Sequence, residues 1–364
     1  MLTFSCDSCR ATLYFENDRC LACGRKVGFR SDELTMCTTD SAASAGLQPC
    51  RNWTEYAACN WFAPARTDAS GYCVACALNE VVPDLTDAAR RALWSDTERA
   101  KRRLIFTLLE IGLPLLGLGD KQPLRFRLLA DERADTGAVD PPPEKEPIYI
   151  GHDNGRLTLN VVEADDVLRE AIRKRLNEQY RTMLGHLRHE IGHYYWYLLI
   201  DGLPIRQQFR ELFGDERADY GAALKHHYET GPAPDWQDTF VSAYASMHPW
   251  EDFSETWAHY IHIVDTLETA STSALALGGR PVSSPLPLDH ARPFSSVLAD
   301  WAPLTVCLNQ LTRSMGMRDA YPFAITERVA AKLTFVHDLC RDATVGGVQR
   351  PATATTGAPS TTLQ

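Results

Sequence analysis

Residues 185–196 read GHLRHEIGHYYW, and the pentapeptide HEIGH within them decides how the rest of the chain is read. On a helix, positions i and i+4 share a face, so His189 and His193 can present two imidazoles to one ion. Glu190 follows the first of them and lies beside the metal without binding it. There it can take a proton from metal-held water, whose pKa zinc lowers to about 7. Ile191 and Gly192 are uncharged, and Tyr194, Tyr195 and Trp196 continue as apolar bulk, so the helix can be buried behind a site. Glycine costs roughly 1 kcal/mol in a helix interior, which points to another element approaching closely at Gly192. The competing reading is a chance pentapeptide with two half-buried histidines.

A catalytic zinc takes a third protein ligand and keeps an open fourth position. Two downstream segments offer one. The first is Asp215-Glu216-Arg217-Ala218-Asp219; the second is WEDFSETWAHY, in which Glu251 and Glu255 stand four apart on one helical face. A carboxylate pair at that spacing can split the work, one binding zinc and the other hydrogen-bonding a ligand histidine from behind. His186, one heptad before His193, is expected to be packed or to support the site rather than to bind.

Cysteines carry the second signal. Of eleven, nine lie at or before residue 76. Cys6/Cys9 and Cys20/Cys23 are two CxxC pairs ten residues apart, a zinc-ribbon spacing that presents four thiolates tetrahedrally, with a short hairpin (ATLYF) expected between them. Cys50, Cys59, Cys73 and Cys76 can close a second structural site, with Cys37 as a spare thiol. Thiolate would fill all four positions in both, so these sites are structural, and in a module this small the metal supplies much of the folding free energy.

The charge of -10 and pI of about 5.6 exclude the basic footprint of a protein that tracks nucleic acid. No basic segment followed by an apolar one marks a secretory signal, and the longest apolar run carries Glu110 and Pro114. A cytosolic protein with no nucleic-acid or membrane partner is expected. The remaining segments predict an α+β chain. Helical patterns begin after Cys76, and PLRFRLLA is a strand. GAVDPPPEKEP is a loop, and IYIGHDNGRLTLNV is a hairpin turning at Asp153-Asn154-Gly155. The long pattern from Glu163 to Ile200 is one or two helices, and further helices fall near 205–229, 250–270, 294–314 and 324–342. This gives a cysteine-rich module over 1–80, a mostly helical domain with a small β-sheet over 81–343, and a disordered tail over 344–364.

HEIGH with a downstream Glu-x-x-x-Glu helix resembles the gluzincin zinc peptidases. EDFSE is similar to the ligand segment of the branch that includes anthrax lethal factor and the bacterial Pro-Pro endopeptidases. That resemblance implies Glu251 as the third ligand, with Tyr244, seven residues before it, steadying the oxyanion. Over most of residues 1–270 the chain more closely resembles a bacterial family of zinc-binding metallopeptidases, on RHEIGHYYW (188–196), GDERADY (214–220) and HPWEDFSETWAHY (248–260). The resemblance implies a peptidase acting on a protein or peptide, with one catalytic zinc and one or two structural ones. By the same analogy the strand TLNV (158–161) would lie along the cleft and pair with an extended peptide, as edge strands of gluzincins do; otherwise the strand is buried. The alternative is a silent zinc-ribbon adaptor on a metal-stabilised scaffold. Against it stands Glu190, since a scaffold has no need of a base beside its metal.

Overall fold

The computed structural model describes residues 2–65, 70–131, 148, 150–175 and 180–344. The expected GAVDPPPEKEP loop and all of the expected tail beyond residue 344 lie outside them. The N-terminal module consists of short antiparallel pairs. β1 (Phe4–Ser5) pairs with β2 (Thr12–Leu13), so the first hairpin encloses the Cys6–Cys9 turn and does not stand between the two CxxC pairs as the ATLYF pattern predicts. β3 (Val27–Arg30) pairs with β4 (Thr35–Thr38), which leads into α1 (Thr39–Ser44). β5 (Leu47–Pro49) pairs with β6 (Phe62–Pro64) across α2 (Arg51–Tyr56). Every described cysteine is a free thiol.

β7 (Asn79–Val81) then joins a four-stranded sheet with β8 (Arg125–Leu129), β9 (Gly151–Asp153) and β10 (Arg156–Asn160), in the order β7-β8-β10-β9. β8 runs parallel to both its neighbours, and β9 closes the sheet antiparallel to β10. The predicted hairpin is present. Asn154 and Gly155 both take positive φ (45° and 86°), as a two-residue turn with the strands' right-handed twist requires. β10 is therefore an inner strand, paired on both sides, and cannot serve as the cleft edge expected of TLNV; among the described residues β9 holds the edge.

Helices make up the rest: α3 (Ala88–Ile111), α4 (Asp166–Arg175), α5 (Met183–Leu199), α6 (Arg206–Phe213), α7 (Tyr220–Thr230), α8 (Trp236–Thr239), α9 (Pro249–Thr272), α10 (Phe294–Ser314) and α11 (Glu327–Asp342). The pattern from Glu163 to Ile200 thus holds two helices, and the segment near 205–229 also splits in two. Between α9 and α10 stand the two-residue strands β11 (Ala276–Leu277) and β12 (Arg280–Pro281). Side-chain caps open several helices at the residues that favour them: Asp87 accepts from Arg90 N, Thr182 from Gly185 N and Thr326 from Val329 N.

α5 and α9 pack face to face, and Gly192 sets their separation. A Cβ built there would meet Ser254 Cα at 2.8 Å and Ser254 Oγ at 3.1 Å. The obstacle is backbone, which cannot swing aside. Tyr195 stacks on Trp257 (4.6 Å) and Trp196 meets Trp250 edge-on (5.4 Å), so these aromatics fill the helix interface. Gly192→Ala is expected to destabilise the fold by about 1–3 kcal/mol through overpacking, although alanine is the better helix former. Thermal unfolding checks this, and a variant at least as stable as wild type would show that the contact is slack.

The two regions share one apolar core. Phe106 of α3 packs between Phe15 (4.9 Å) and Phe29 (5.4 Å) of the N-terminal module. Beside it lies a buried polar join. Lys101 donates to Glu98 (2.8 Å) and to Asn79, Arg102 donates to the Ala58 carbonyl (2.5 Å), and Cys76 Sγ lies 3.8 Å from Glu98 Oε2. Lys101 and Glu98 are fully buried, a placement that requires pairing.

Candidate metal centre

Three groups of donor atoms among the described residues are spaced to hold an ion: Cys6, Cys9, Cys20 and Cys23; Cys50, Cys59, Cys73 and Cys76; and His189, His193 and Glu251. Within each group the ligand atoms lie within 4.8 Å of one another. Both cysteine sets are therefore assembled as the spacing predicts. The first leaves Cys9 and Cys23 exposed, whereas the second is wholly buried against α3. Cys37, the spare thiol, packs with Ala42 and Phe62.

His189 and His193 lie one turn apart on α5, and Glu251 lies in the first turn of α9, which is capped by His248 and entered through Pro249. Glu251 Oε2 is 3.0 Å from His189 Nε2, and Glu251 Oε1 is 3.5 Å from His193 Nε2. The far nitrogen of His189, Nδ1, donates to Glu255 Oε1 at 2.6 Å, and Glu255 Oε2 accepts from Ser242 Oγ, also at 2.6 Å. The carboxylate pair on α9 is thus divided as its spacing predicts, one facing the histidines and one behind them. Burial works against a charged His189, but the Glu251 and Glu255 carboxylates outweigh it and hold its pKa well above the usual value. Burial likewise opposes ionisation of Glu255, yet His189 beside it holds its carboxyl down at about 2.

A cation fits this donor set. Glu190 Oε2, on the residue after His189, is buried without a hydrogen-bond partner, and the buried Glu251 Oε2 has only the His189 ring of the same donor set beside it, at 3.0 Å. A buried carboxylate oxygen with no donor is costly, and an ion or an ordered water beside it removes the cost. The residues open onto a cavity of about 450 Å³, lined also by Trp196, Tyr197 and Trp250 and by Gly151 to Asp153 of β9. Tyr244, on a 3-10 turn before α9, lines the same cavity with its ring 6.0 Å from that of His189.

The rival ligands are engaged elsewhere. Asp215 pairs with Arg217 (2.6 Å), Glu216 with Arg210 (2.5 Å), and Asp219 caps α7 by accepting from Ala222 N (2.9 Å). His186 pairs with Glu163 at 2.6 Å. Of the histidines near Glu251, His248 caps α9, His259 meets the Tyr321 hydroxyl at 2.7 Å, and His262 packs against Tyr180, Trp301 and Tyr321. Sequence reasoning gave no role to Tyr220 or Ser242. GDERADY was singled out for its acids, yet its tyrosine is the member that reaches the site, donating to Glu251 Oε1 at 3.0 Å. Ser242 carries no motif.

Comparison with known proteins matches the same parts. A zinc-ribbon domain model covers residues 3–87, so the thiolate clusters belong to a zinc ribbon. An uncharacterized protein of Mycobacterium bovis and uncharacterized proteins of two Mycobacterium tuberculosis strains are each 42% identical over 341 residues, covering 93% of this chain and 94% of the relative. No solved structure matches the chain. The family model described as "Putative zinc-binding metallo-peptidase" covers residues 90–339, from the start of α3 to the end of α11, and the chain belongs to that family.

Proposed function

We propose that the chain is a zinc-dependent peptidase whose catalytic ion is held by His189, His193 and Glu251. The observation that carries this reading is the partnerless, buried oxygen of Glu190, placed beside a three-donor set in an open cavity. When bound, zinc supplies Lewis acidity toward a carbonyl and lowers the pKa of water to about 7. Glu190 takes a proton from the attacking water and returns it to the leaving amine. Tyr244 donates to the oxygen that gains charge as the carbonyl becomes tetrahedral. Burial holds its hydroxyl protonated far above neutral pH, reinforced by the charge on Glu251, which keeps it a donor. Glu255 fixes the ring of His189 through Nδ1 and so aims Nε2 at the site. An extended peptide finds an edge to pair with at β9, beside the cavity.

The two thiolate clusters take structural zinc, and the ribbon serves recognition of the substrate or a partner. No helix of the described residues is long and apolar enough to cross a membrane, and a cytosolic protein acting on protein or peptide substrates is our reading. The test is a proteome-wide comparison of new polypeptide termini after exposure to wild type or to Glu190→Gln. A set of termini confined to the wild-type sample is expected; identical sets in both would end the peptidase reading.

A further inference from the structure

We propose that Tyr220 is a positioning residue of the metal site, fixing the ligand carboxylate of Glu251. The proposal rests on the reading of His189, His193 and Glu251 as a zinc site, and adds a residue to which neither spacing nor resemblance assigned a role.

Among the described residues, Tyr220 is the one hydroxyl that donates to Glu251, to Oε1 at 3.0 Å. That oxygen also faces His193, while Oε2 faces His189. Taking a lone pair on one oxygen fixes the rotation of the whole carboxylate, and with it the direction in which the remaining lone pairs point. With its proton engaged on Glu251, the Tyr220 oxygen keeps its acceptor capacity, and it lines the same cavity as Tyr244. One side chain therefore touches the third ligand and shares a cavity wall with the proposed oxyanion donor.

The surrounding architecture has the form of a mount for this ring. Gly214 takes a left-handed φ of 101°, and a Cβ there would meet Pro249 Cγ at 3.3 Å, so the loop crosses closely over the start of α9. Asp215 and Glu216 are tied to Arg217 and Arg210, the Ala218 carbonyl accepts from His248 Nε2 (3.1 Å), and Asp219 caps the helix that begins at Tyr220. The ring lies against His248 (5.3 Å) and Trp250 (6.3 Å), which stand three residues and one residue before Glu251. The acids of GDERADY thus hold the loop, and the loop delivers the tyrosine. None of them faces the metal donors.

Tyr220→Phe keeps the ring and removes only the O–H. In competition against a chromogenic chelator, the variant is expected to hold zinc at the His189/His193/Glu251 site about 10- to 100-fold more weakly. The zinc of the two cysteine clusters stays in place, and thermal unfolding of the protein carrying only that cysteine-bound zinc is unchanged. On a cleaved peptide, kcat falls while KM holds, because the lost contact orients the site and not the substrate. If the variant binds zinc as tightly as wild type, or fails to fold, the hydroxyl has no positioning role and the proposal is overturned. Failure of the zinc-site reading is a different result: wild type itself would then carry zinc in the cysteine clusters alone.

Discussion

Glu190→Gln retains all its zinc and loses about 10²- to 10⁴-fold in cleavage rate, the range a positioned general base contributes. The substitution keeps the shape of the side chain and removes its ability to accept and carry a proton. Glu190 lies on α5 between the two histidine turns, is 95% buried, and has one oxygen with no partner. Structural carboxylates in this chain look different: Glu163 is held by Arg181 and His186, Asp252 by Lys332, Asp265 by Arg188. Neutralising Asp252 or Asp265 would strip a buried cation, Lys332 or Arg188, of its carboxylate, a loss that is strongly destabilising. Glu190 leaves none, so the variant is expected to fold and bind metal as wild type does. Zinc content by elemental mass spectrometry and turnover of a cleaved peptide check the two halves separately. Retained turnover would remove Glu190 from the chemistry, and lost zinc would make it part of the binding set.

The second large effect separates the two third-ligand candidates. Glu251→Ala is expected to empty the histidine site while both cysteine clusters keep their metal, so that the zinc content falls from three per chain to two. Activity falls with it. Asp215→Ala is expected to keep all three, because Asp215 is half exposed and its partner is Arg217. An exposed pair of that kind is worth about 0–1 kcal/mol. Loss of zinc from the Asp215 variant, or its retention in the Glu251 variant, would reverse the assignment.

Much of this site was legible in the sequence, for a physical reason. HEIGH and Glu251/Glu255 each depend on one helical period, and four-residue spacing survives whatever the tertiary packing does to the helix. Gly192 was legible because a glycine in an apolar helix carries a cost that close packing must offset. The cysteine clusters were legible because thiolates in CxxC turns impose their own geometry. The parts that stayed hidden depend on contacts between distant segments. Tyr220 meets Glu251 only because the 214–219 loop crosses α9, and Ser242 reaches Glu255 from a segment with no periodicity. β7 is three residues long, and it pairs with β8 from more than forty positions away in the chain. TLNV was misplaced for a related reason: alternation identifies a strand but does not say whether it is inner or edge.

The join on α3 bears on how the protein can be cut. Lys101, Glu98 and Asn79 sit beneath Cys76, and Phe106 sits between Phe15 and Phe29. Excising the cysteine-rich part would bring a buried lysine, a buried carboxylate and a hydrophobic wall to the surface of what remained. The helical region that holds the histidine site is therefore not a separate body carrying a detachable accessory. Its first long helix is completed by the surface of the cysteine-rich module, so disorder in that module would reach the helical region through α3.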